Sequence, residues 1–186
     1  MLDDKGKRYG IIAWRPAIRF YRGALACAMD VTSARGIDDL RAAVAEFLAM
    51  NHMVRFPYYK AVLADELAKR GRLDEGEETI LGALAAVESQ NEGWCAPELL
   101  RIHASILMAL GRTDEAETVL LKSLAAAAEI GALSWRLRTA NDLASLWCDT
   151  SRADEARDLL RPIHARFDEG FATRDLGVAA KLLASL

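Results

Sequence analysis

A six-residue phrase occurs three times in this chain, forty residues apart, and this spacing constrains the fold more than any other feature. The three copies read GRLDEG at residues 71–76, GRTDEA at 111–116 and SRADEA at 151–156. A fixed period of this size is typical of proteins built from stacked repeats. Each unit of such a stack packs mainly on its neighbours, and the stack presents an extended binding surface. The period therefore predicts a repeat protein that binds a partner.

The spacing of apolar residues indicates that the repeats are helical. Apolar residues recur at intervals of three and four almost throughout, without the strict alternation of a strand. Pro16, Pro57 and Pro97 stand 41 and 40 residues apart. Each opens a helical pattern, where the missing N–H of proline costs no hydrogen bond. We predict nine helices, at about 15–31, 37–52, 57–70, 74–90, 97–110, 114–130, 135–149, 154–169 and 173–185.

These helices define the predicted fold class and domain organisation. Four helical hairpins and a terminal helix make an all-α protein, which we expect to be a right-handed α-solenoid of stacked hairpins with a period of 40 residues. We expect residues 1–11 to form a flexible N-terminus and residues 12–186 to form one repeat domain. Pro162 falls inside the eighth predicted helix and should kink or break it.

The repeated phrase has a structural explanation. Gly71 and Gly111 end the first helix of their repeats, where glycine adopts a left-handed conformation at little cost, and Ser151 in the last copy should weaken that turn. The aspartates are expected as N-caps of the second helices, at Asp74, Asp114 and Asp154. The glutamates that follow suit the first turn of a helix, at Glu75, Glu115 and Glu155. Capping therefore explains these acids without a catalytic role.

Composition and charge exclude several classes of protein. The chain has 186 residues, a net charge of −3 and a pI of about 5.7, which does not favour a nucleic-acid-binding protein. Its three cysteines are far apart, as expected for reduced thiols in the cytosol. The polar first ten residues lack the apolar core of a signal peptide, and no apolar run approaches the ~20 residues of a membrane span. We expect a soluble, cytoplasmic protein.

Motifs that carry chemistry are missing from the sequence. It contains no phosphate-binding P-loop, no Cys-x-x-Cys, no His-Glu-x-x-His and no EF-hand spacing. His52, His103 and His164 are far apart and have no carboxylate or cysteine at ligand spacing, so packing roles are expected for His103 and His164. We therefore predict no catalytic residue, no metal and no cofactor, and we expect that this chain is not an enzyme.

The pattern of small and large residues resembles the tetratricopeptide repeat (TPR). Small residues fall where the two helices of a hairpin must cross closely, at Gly23, Ala64, Ala104 and Ala144 in the first helices and at Gly76, Ala116 and Ala156 in the second. Large apolar residues fall at the matching contact positions, including Leu67, Leu107 and Trp147. The resemblance covers residues 57–169. The period of 40 departs from the usual 34, and the proline that closes each repeat is missing.

The C-terminal half resembles a narrower group. The segments GALSWRLRTA (131–140), LASLW (143–147), EARDLLRP (155–162) and FDEGFATRDL (167–176) are similar to the C-terminal helical-repeat region of large bacterial signalling proteins. Those proteins carry an adenylate cyclase or a winged-helix DNA-binding domain, then a STAND-type ATPase, then repeats. The resemblance spans about residues 11–186. It implies a regulatory or sensory region whose catalytic chemistry lies in other domains, or a stand-alone relative.

The TPR resemblance also implies a binding groove, because the first helix of each repeat lines the concave face of such arrays. The positions this places in the groove are Tyr58, Ala61, Asp65 and Lys69, then Glu98, Arg101, Ser105 and Met108, and then Arg138, Asn141, Ser145 and Asp149. From them we select eight candidates for partner binding: Tyr58, Asp65, Arg101, Ser105, Met108, Arg138, Asn141 and Ser145. Arg101 and Arg138 are suited to bind a carboxylate through two parallel hydrogen bonds, and Asn141 is suited to hydrogen-bond a peptide backbone. The alternative is that all eight are ordinary surface residues.

Two classes of function follow. We expect a non-catalytic scaffold for protein–protein interaction that binds a peptide, a protein, or cyclase or ATPase domains in cis or in trans. The alternative is a regulatory domain that senses a small molecule in the concave groove. Self-association through the N-terminal end, with Ile11, Ile12 and Trp14, is a further expectation, because an unfinished solenoid end exposes apolar groups.

Overall fold

A computed structural model describes residues 14–90 and 93–186 of the chain. The described residues do not include the predicted flexible segment 1–11, to which Ile11 belongs, and they do not include Ile12. Within the described ranges the chain is helical and has no strand. Its helices are α1 (Trp14–Met29), α2 (Ala34–Ala49), α3 (Phe56–Ala68), α4 (Leu73–Gln90), α5 (Ala96–Ala109), α6 (Thr113–Glu129), α7 (Leu133–Asp149), α8 (Ala153–His164) and α9 (Arg174–Ser185), with a 3₁₀ turn at Gly93–Cys95. The prediction of nine helices is confirmed for the described residues.

The chain divides into two compact units, Met1–Gly93 and Trp94–Leu186. In the first unit α1 pairs with α2 and α3 pairs with α4, and α3 packs on both α2 and α1. In the second unit α5 pairs with α6 and α7 pairs with α8, while α9 packs on α7 and α8. Each unit has its own apolar core, centred on residues such as Phe47 in the first and Leu120 in the second. A single repeat domain over residues 12–186 stays a prediction.

The turns inside the hairpins follow the glycine prediction. Gly71 and Gly111 have φ angles of +75° and +77°, so both adopt the left-handed conformation that ends a helix. Ser151 adopts the same conformation, with φ of +60°, although its Cβ makes this region unfavourable. The repeat geometry therefore imposes the same turn on a residue that does not favour it.

The predicted N-caps are wrong by two positions. The second helices begin at Leu73, Thr113 and Ala153, so each aspartate of the phrase is the second helical residue. The residues in the N-cap position of α6 and α8 are Arg112 and Arg152, and neither side chain caps the helix. The aspartates and glutamates still lie in the first turn, where the helix dipole favours a negative charge.

The arginine of the repeated phrase has a different role. Its guanidinium group pairs with the glutamate three residues later in every copy, as Arg72–Glu75, Arg112–Glu115 and Arg152–Glu155. In the second and third copies both carboxylate oxygens accept a hydrogen bond, at 2.7 to 2.8 Å. The three-residue spacing of arginine and glutamate in the phrase therefore places an ion pair at the start of the second helix in every copy.

The end of α8 differs from the prediction. The helix continues through Pro162 and ends at His164, whereas the sequence pattern predicted an end near residue 169. Proline has no N–H to donate and its ring crowds the carbonyl four residues earlier, so both effects fall on the preceding turn. The predicted break at Pro162 does not occur, and Pro162 does not explain the end at His164. Residues 165–173 then form turns, with Gly170 left-handed at φ +76°, before α9 begins.

Helices α1 and α2 cross closely, with a glycine on each. A Cβ atom added to Gly23 would stand 2.9 Å from the carbonyl oxygen of Gly36, and one added to Gly36 would stand 2.5 Å from Sγ of Cys27. The equivalent positions in the later hairpins hold buried alanines, Ala64, Ala104 and Ala144. These alanines are fully buried, as expected for small residues between paired helices, and the first crossing is close enough to require glycine on both helices.

No helix among residues 14–90 and 93–186 is both long enough and apolar enough to cross a membrane.

Candidate functional site

Charged side chains on α5, α7 and α9 form a connected group in the second unit. The buried carboxylate of Glu98 accepts hydrogen bonds from Arg101, at 2.9 and 3.0 Å, and from Arg138, at 2.8 Å. Arg101 also donates to Asp142 at 2.9 Å, and Arg138 donates to Asp175 at 3.0 Å. We call these five residues, together with Asn141, the charged cluster.

The repeat period brings these residues together. Glu98 and Arg101 lie one turn apart on α5, directly after Pro97, which opens the helix. Arg138 follows Glu98 by 40 residues and Asp142 follows Arg101 by 41, so each ion pair joins nearly equivalent positions of neighbouring repeats. Asp175 enters from α9, the helix that packs on α7. The cluster is thus the charged part of the contact between successive first helices.

The electrostatics of the cluster are those of a partly buried network. Burial opposes the charge on Arg101, but the carboxylates of Glu98 and Asp142 outweigh it and raise the pKa of Arg101 above its usual value. The same balance raises the pKa of Arg138. Burial raises the pKa of Asp142 above its usual range, although Arg101 acts in the opposite direction. Three carboxylates face two guanidinium groups, so the cluster carries one excess negative charge when all are ionised.

Asn141 contributes a buried hydrogen-bond acceptor that has no partner. Its residue is only 5% exposed, and its Nδ2 donates to the backbone carbonyl of Asp175 at 2.9 Å. Its Oδ1 is buried and has no hydrogen-bond partner in the described structure. A buried acceptor without a partner costs about 1–3 kcal/mol. An N–H group from a bound molecule would remove that cost.

The structure brings three of the eight predicted groove residues into the cluster: Arg101, Arg138 and Asn141. Ser105 and Ser145 lie one turn further along α5 and α7, Ser105 half-buried and Ser145 exposed. Met108 is half-buried and packs against the core of the second unit. All six of these residues lie in the second unit.

The other two predicted residues, Tyr58 and Asp65, lie on α3 in the first unit. Tyr58 is half-buried and packs against the core of that unit. Asp65 forms an ion pair with Lys69 at 2.7 Å, and Lys69 also contacts the buried Glu66 at 2.7 Å. The described α3 therefore carries its own smaller group of charges.

Sequence reasoning missed two members of the cluster, Asp142 and Asp175, and did not select Glu98 as a candidate although it placed Glu98 on the same groove-lining face. Glu98 follows a proline at a helix start, where a carboxylate is explained by the helix dipole alone. Asp175 follows the turns after α8, where the repeat period is lost. The sequence does contain a signal for the ion pairs between α5 and α7, because residues of opposite charge stand about one repeat period apart, as Glu98 and Arg138 do.

The histidines and cysteines do not form a second site in the described residues. No group of three or more His, Cys, Asp or Glu side chains in residues 14–90 and 93–186 is arranged to hold a metal ion. His164 is half-buried beside Phe171, with ring centres 6.2 Å apart, which agrees with its predicted packing role. His103 is half-buried in α5. Cys27 and Cys95 are buried.

Comparisons with known proteins agree with this fold. A family model for the tetratricopeptide repeat matches residues 97–122, which include α5 except for Ala96, the turn at Gly111 and the first ten residues of α6. Two crystal structures of TPR-like repeats from Podosopora anserina, described as a kinesin light chain with nearly identical repeats, are similar over 93% of this chain and 85% of theirs. Their TM-scores are 0.70 and 0.69, and each is 17% identical to this chain. No curated protein matches the sequence.

These similarities are evidence for the fold of the chain. The protein has an all-helical fold of TPR-like hairpins, which confirms the predicted solenoid class. TPR-like repeats in general bind other proteins and are typically non-catalytic.

Proposed function

We propose that this chain is a non-catalytic scaffold for protein–protein interaction in the cytoplasm, and that a partner binds on the charged cluster of α5, α7 and α9. The observation that carries the proposal is Oδ1 of Asn141, which is buried and unpartnered, on an amide whose Nδ2 binds the backbone carbonyl of Asp175 in the charged cluster. An extended peptide or a loop of a folded protein supplies backbone N–H groups that suit this acceptor. The exposed hydroxyl of Ser145, one turn along α7, lies at the accessible edge of the same site.

The charges of the cluster define the chemistry of the partner. Arg101 and Arg138 already bind carboxylates of their own chain, so an acidic group of the partner would have to replace one of them. Arg138 is the better place for such an exchange, because it is more exposed than Arg101. With one excess negative charge in the cluster, we expect a partner segment that is rich in N–H donors and neutral or basic.

The test is a quantitative capture experiment with matched variants. The wild-type chain is immobilised, binding proteins are collected from extract of the source cells, and their amounts are compared by mass spectrometry. Ser145→Arg places a bulky cation at the edge of the cluster, and Thr118→Arg makes the same change at an exposed site on α6. A specific partner should be lost with Ser145→Arg and kept with Thr118→Arg. Equal recovery with both variants would refute binding at the cluster.

A small-molecule sensor is the second candidate. The same buried acceptor and the nearly buried guanidinium of Arg101 suit a small polar molecule as well as a peptide. A ligand of the native state at 100 times its Kd stabilises the fold by about 2.7 kcal/mol, which raises the melting temperature. A metabolite screen by thermal shift, repeated with Asn141→Ala, distinguishes the two: a shift that the variant abolishes supports the sensor.

The wider context proposed from the sequence resemblance is regulatory. The chain would act on adenylate cyclase or ATPase domains, on the same polypeptide or on a separate one. An immunoblot of source-cell extract with an antibody against this chain tests the arrangement. A band several times larger than 20.4 kDa supports domains in cis, and a band near 20.4 kDa means that the partner must be sought in trans. Self-association through the N-terminal end of the array is the remaining partner proposal.

A further inference from the structure

Helix α1 has two apolar faces, and only one of them belongs to the core of its unit. Phe20, Gly23 and Cys27 point into the core. On the opposite side lie four large apolar residues that are between 49% and 80% exposed: Trp14, Tyr21, Leu25 and Met29. Their spacings of seven, four and four residues place them in one row along the helix. We call this row the α1 stripe.

The residues at equivalent positions in later repeats are buried against a neighbouring hairpin. With Gly23 aligned on Ala64 and Ala144, the position of Leu25 corresponds to Glu66 in α3 and Leu146 in α7. These two residues are only 8% and 9% exposed, because α3 packs on the hairpin α1–α2 and α7 packs on the hairpin α5–α6. At Leu25 the α1 stripe therefore corresponds to the face that joins one hairpin to the one before it, and the described helices leave its four side chains between 49% and 80% exposed.

The stripe is large enough to support association. Applying the exposed fractions to side chains of about 150–250 Å² gives roughly 500 Å² of mostly apolar surface per copy. Two such stripes in contact would remove roughly 1,000 Å² from water, which is about the lower limit for a specific protein interface. The flanking side chains of α1 would add to this area.

We propose that the occupant of the α1 stripe is a second copy of this chain, with the two α1 helices packed antiparallel about a two-fold axis. Contact of a surface with itself closes after two copies, whereas head-to-tail contact builds larger rings or open filaments. Antiparallel packing also brings each helix N-terminus near the C-terminus of the other, which their dipoles favour. Arg15 at one end of α1 and Asp30 just beyond the other are both exposed, so the same arrangement brings opposite charges together.

This inference rests on the proposed self-association through the N-terminal end, and it is independent of partner binding at the charged cluster. The stripe lies on α1 in the first unit, and the charged cluster lies on α5, α7 and α9 in the second. A variant of the stripe should therefore change the oligomeric state while leaving the partner-binding surface intact.

The first experiment measures molecular mass by size-exclusion chromatography with light scattering. The wild-type chain should have twice the 20.4 kDa of one copy. Leu25→Asp buries a charge in the proposed contact and should weaken the dimer by at least about tenfold, giving a monomer with an unchanged helical spectrum. Leu81→Asp makes the same change at an exposed leucine of α4 and should remain a dimer. A monomeric wild type, or a dimer that Leu25→Asp does not weaken, would overturn the proposal.

The second experiment tests the antiparallel arrangement by disulfide formation in a Cys148→Ser background, in which the remaining cysteines are buried. The two-fold axis should pass near the middle of Trp14–Met29, so Tyr21→Cys should cross-link to its own copy on oxidation. The two copies of Trp14→Cys would lie roughly 20 Å apart along the helices, since each residue advances 1.5 Å, and should not cross-link. Cross-linking of Trp14→Cys but not of Tyr21→Cys would overturn the arrangement.

Discussion

The crossing of α1 and α2 gives the sharpest prediction about stability, because one substitution can be made at two glycines with opposite surroundings. A Cβ atom at Gly23 would lie 2.9 Å from the carbonyl oxygen of Gly36 and 3.0 Å from the backbone nitrogen of Leu40. A Cβ atom at Gly177, inside α9, would have no neighbour within 4 Å. Gly23→Ala and Gly177→Ala therefore differ in the space available and share the same change in helix propensity.

The magnitudes decide the sign of each effect. Replacing glycine by alanine inside a helix gains about 1 kcal/mol of propensity. Overpacking a tight contact costs about 1–3 kcal/mol, and here the neighbours at Gly23 are backbone atoms that can move only if the helices separate. We expect Gly177→Ala to be more stable than wild type by about 1 kcal/mol and Gly23→Ala to be less stable by about 1 kcal/mol.

The assay is urea unfolding followed by far-UV circular dichroism, with thermal unfolding as a second readout. For a chain of this size 1 kcal/mol corresponds to a shift in melting temperature of about 2–4 °C. The two variants should thus differ by about 4–8 °C, with wild type between them. If Gly23→Ala were stabilised as much as Gly177→Ala, the close crossing of α1 and α2 would be refuted.

Two further predictions concern the third copy of the repeated phrase. Ser151→Gly should raise the melting temperature by about 2 °C, because glycine adopts the φ of +60° found there without steric cost; no change on thermal unfolding would contradict this. Glu117 accepts hydrogen bonds from Arg152 and Trp147, each at 2.8 Å, and these bonds hold its pKa below the ordinary value of 4.5. Because the folded pKa is lowered, this stabilisation is present above pH 4.5 and is lost as the pH falls through the folded pKa. Glu117→Gln should therefore lower the melting temperature most at pH 7, with a difference from wild type that shrinks below pH 4.5; a difference independent of pH would contradict the ion pair.

The parts of the fold that the sequence predicted well are those that depend on local spacing. The forty-residue period located the hairpin turns, and the left-handed Gly71 and Gly111 lie where a helix must end. Boundaries that depend on a single side chain were less accurate. Helix α2 begins at Ala34, not near residue 37, because the hydroxyl of Ser33 accepts a hydrogen bond from the N–H of Gly36 at 3.2 Å.

The candidate site was harder to predict, because it depends on how neighbouring helices align. Arg101 and Arg138 were expected to face a partner, but whether Glu98 reaches both of them is decided by the relative position of α5 and α7. The pattern that marks the first helices as groove-lining says nothing about which charges are already paired within the chain. The role of Asp175 depends on α9, which follows turns that no period describes.

Binding of a protein partner on the charged cluster is the central claim, and site-specific photo-cross-linking tests it most directly. A photoreactive residue would replace Ser145, exposed on α7 beside the cluster, or Leu121, exposed on α6, and each chain would be irradiated in extract of the source cells. We predict a defined cross-linked protein from position 145, lost when Asn141→Ala is added, and no such product from position 121. The same product from both positions, or from position 121 alone, would contradict it.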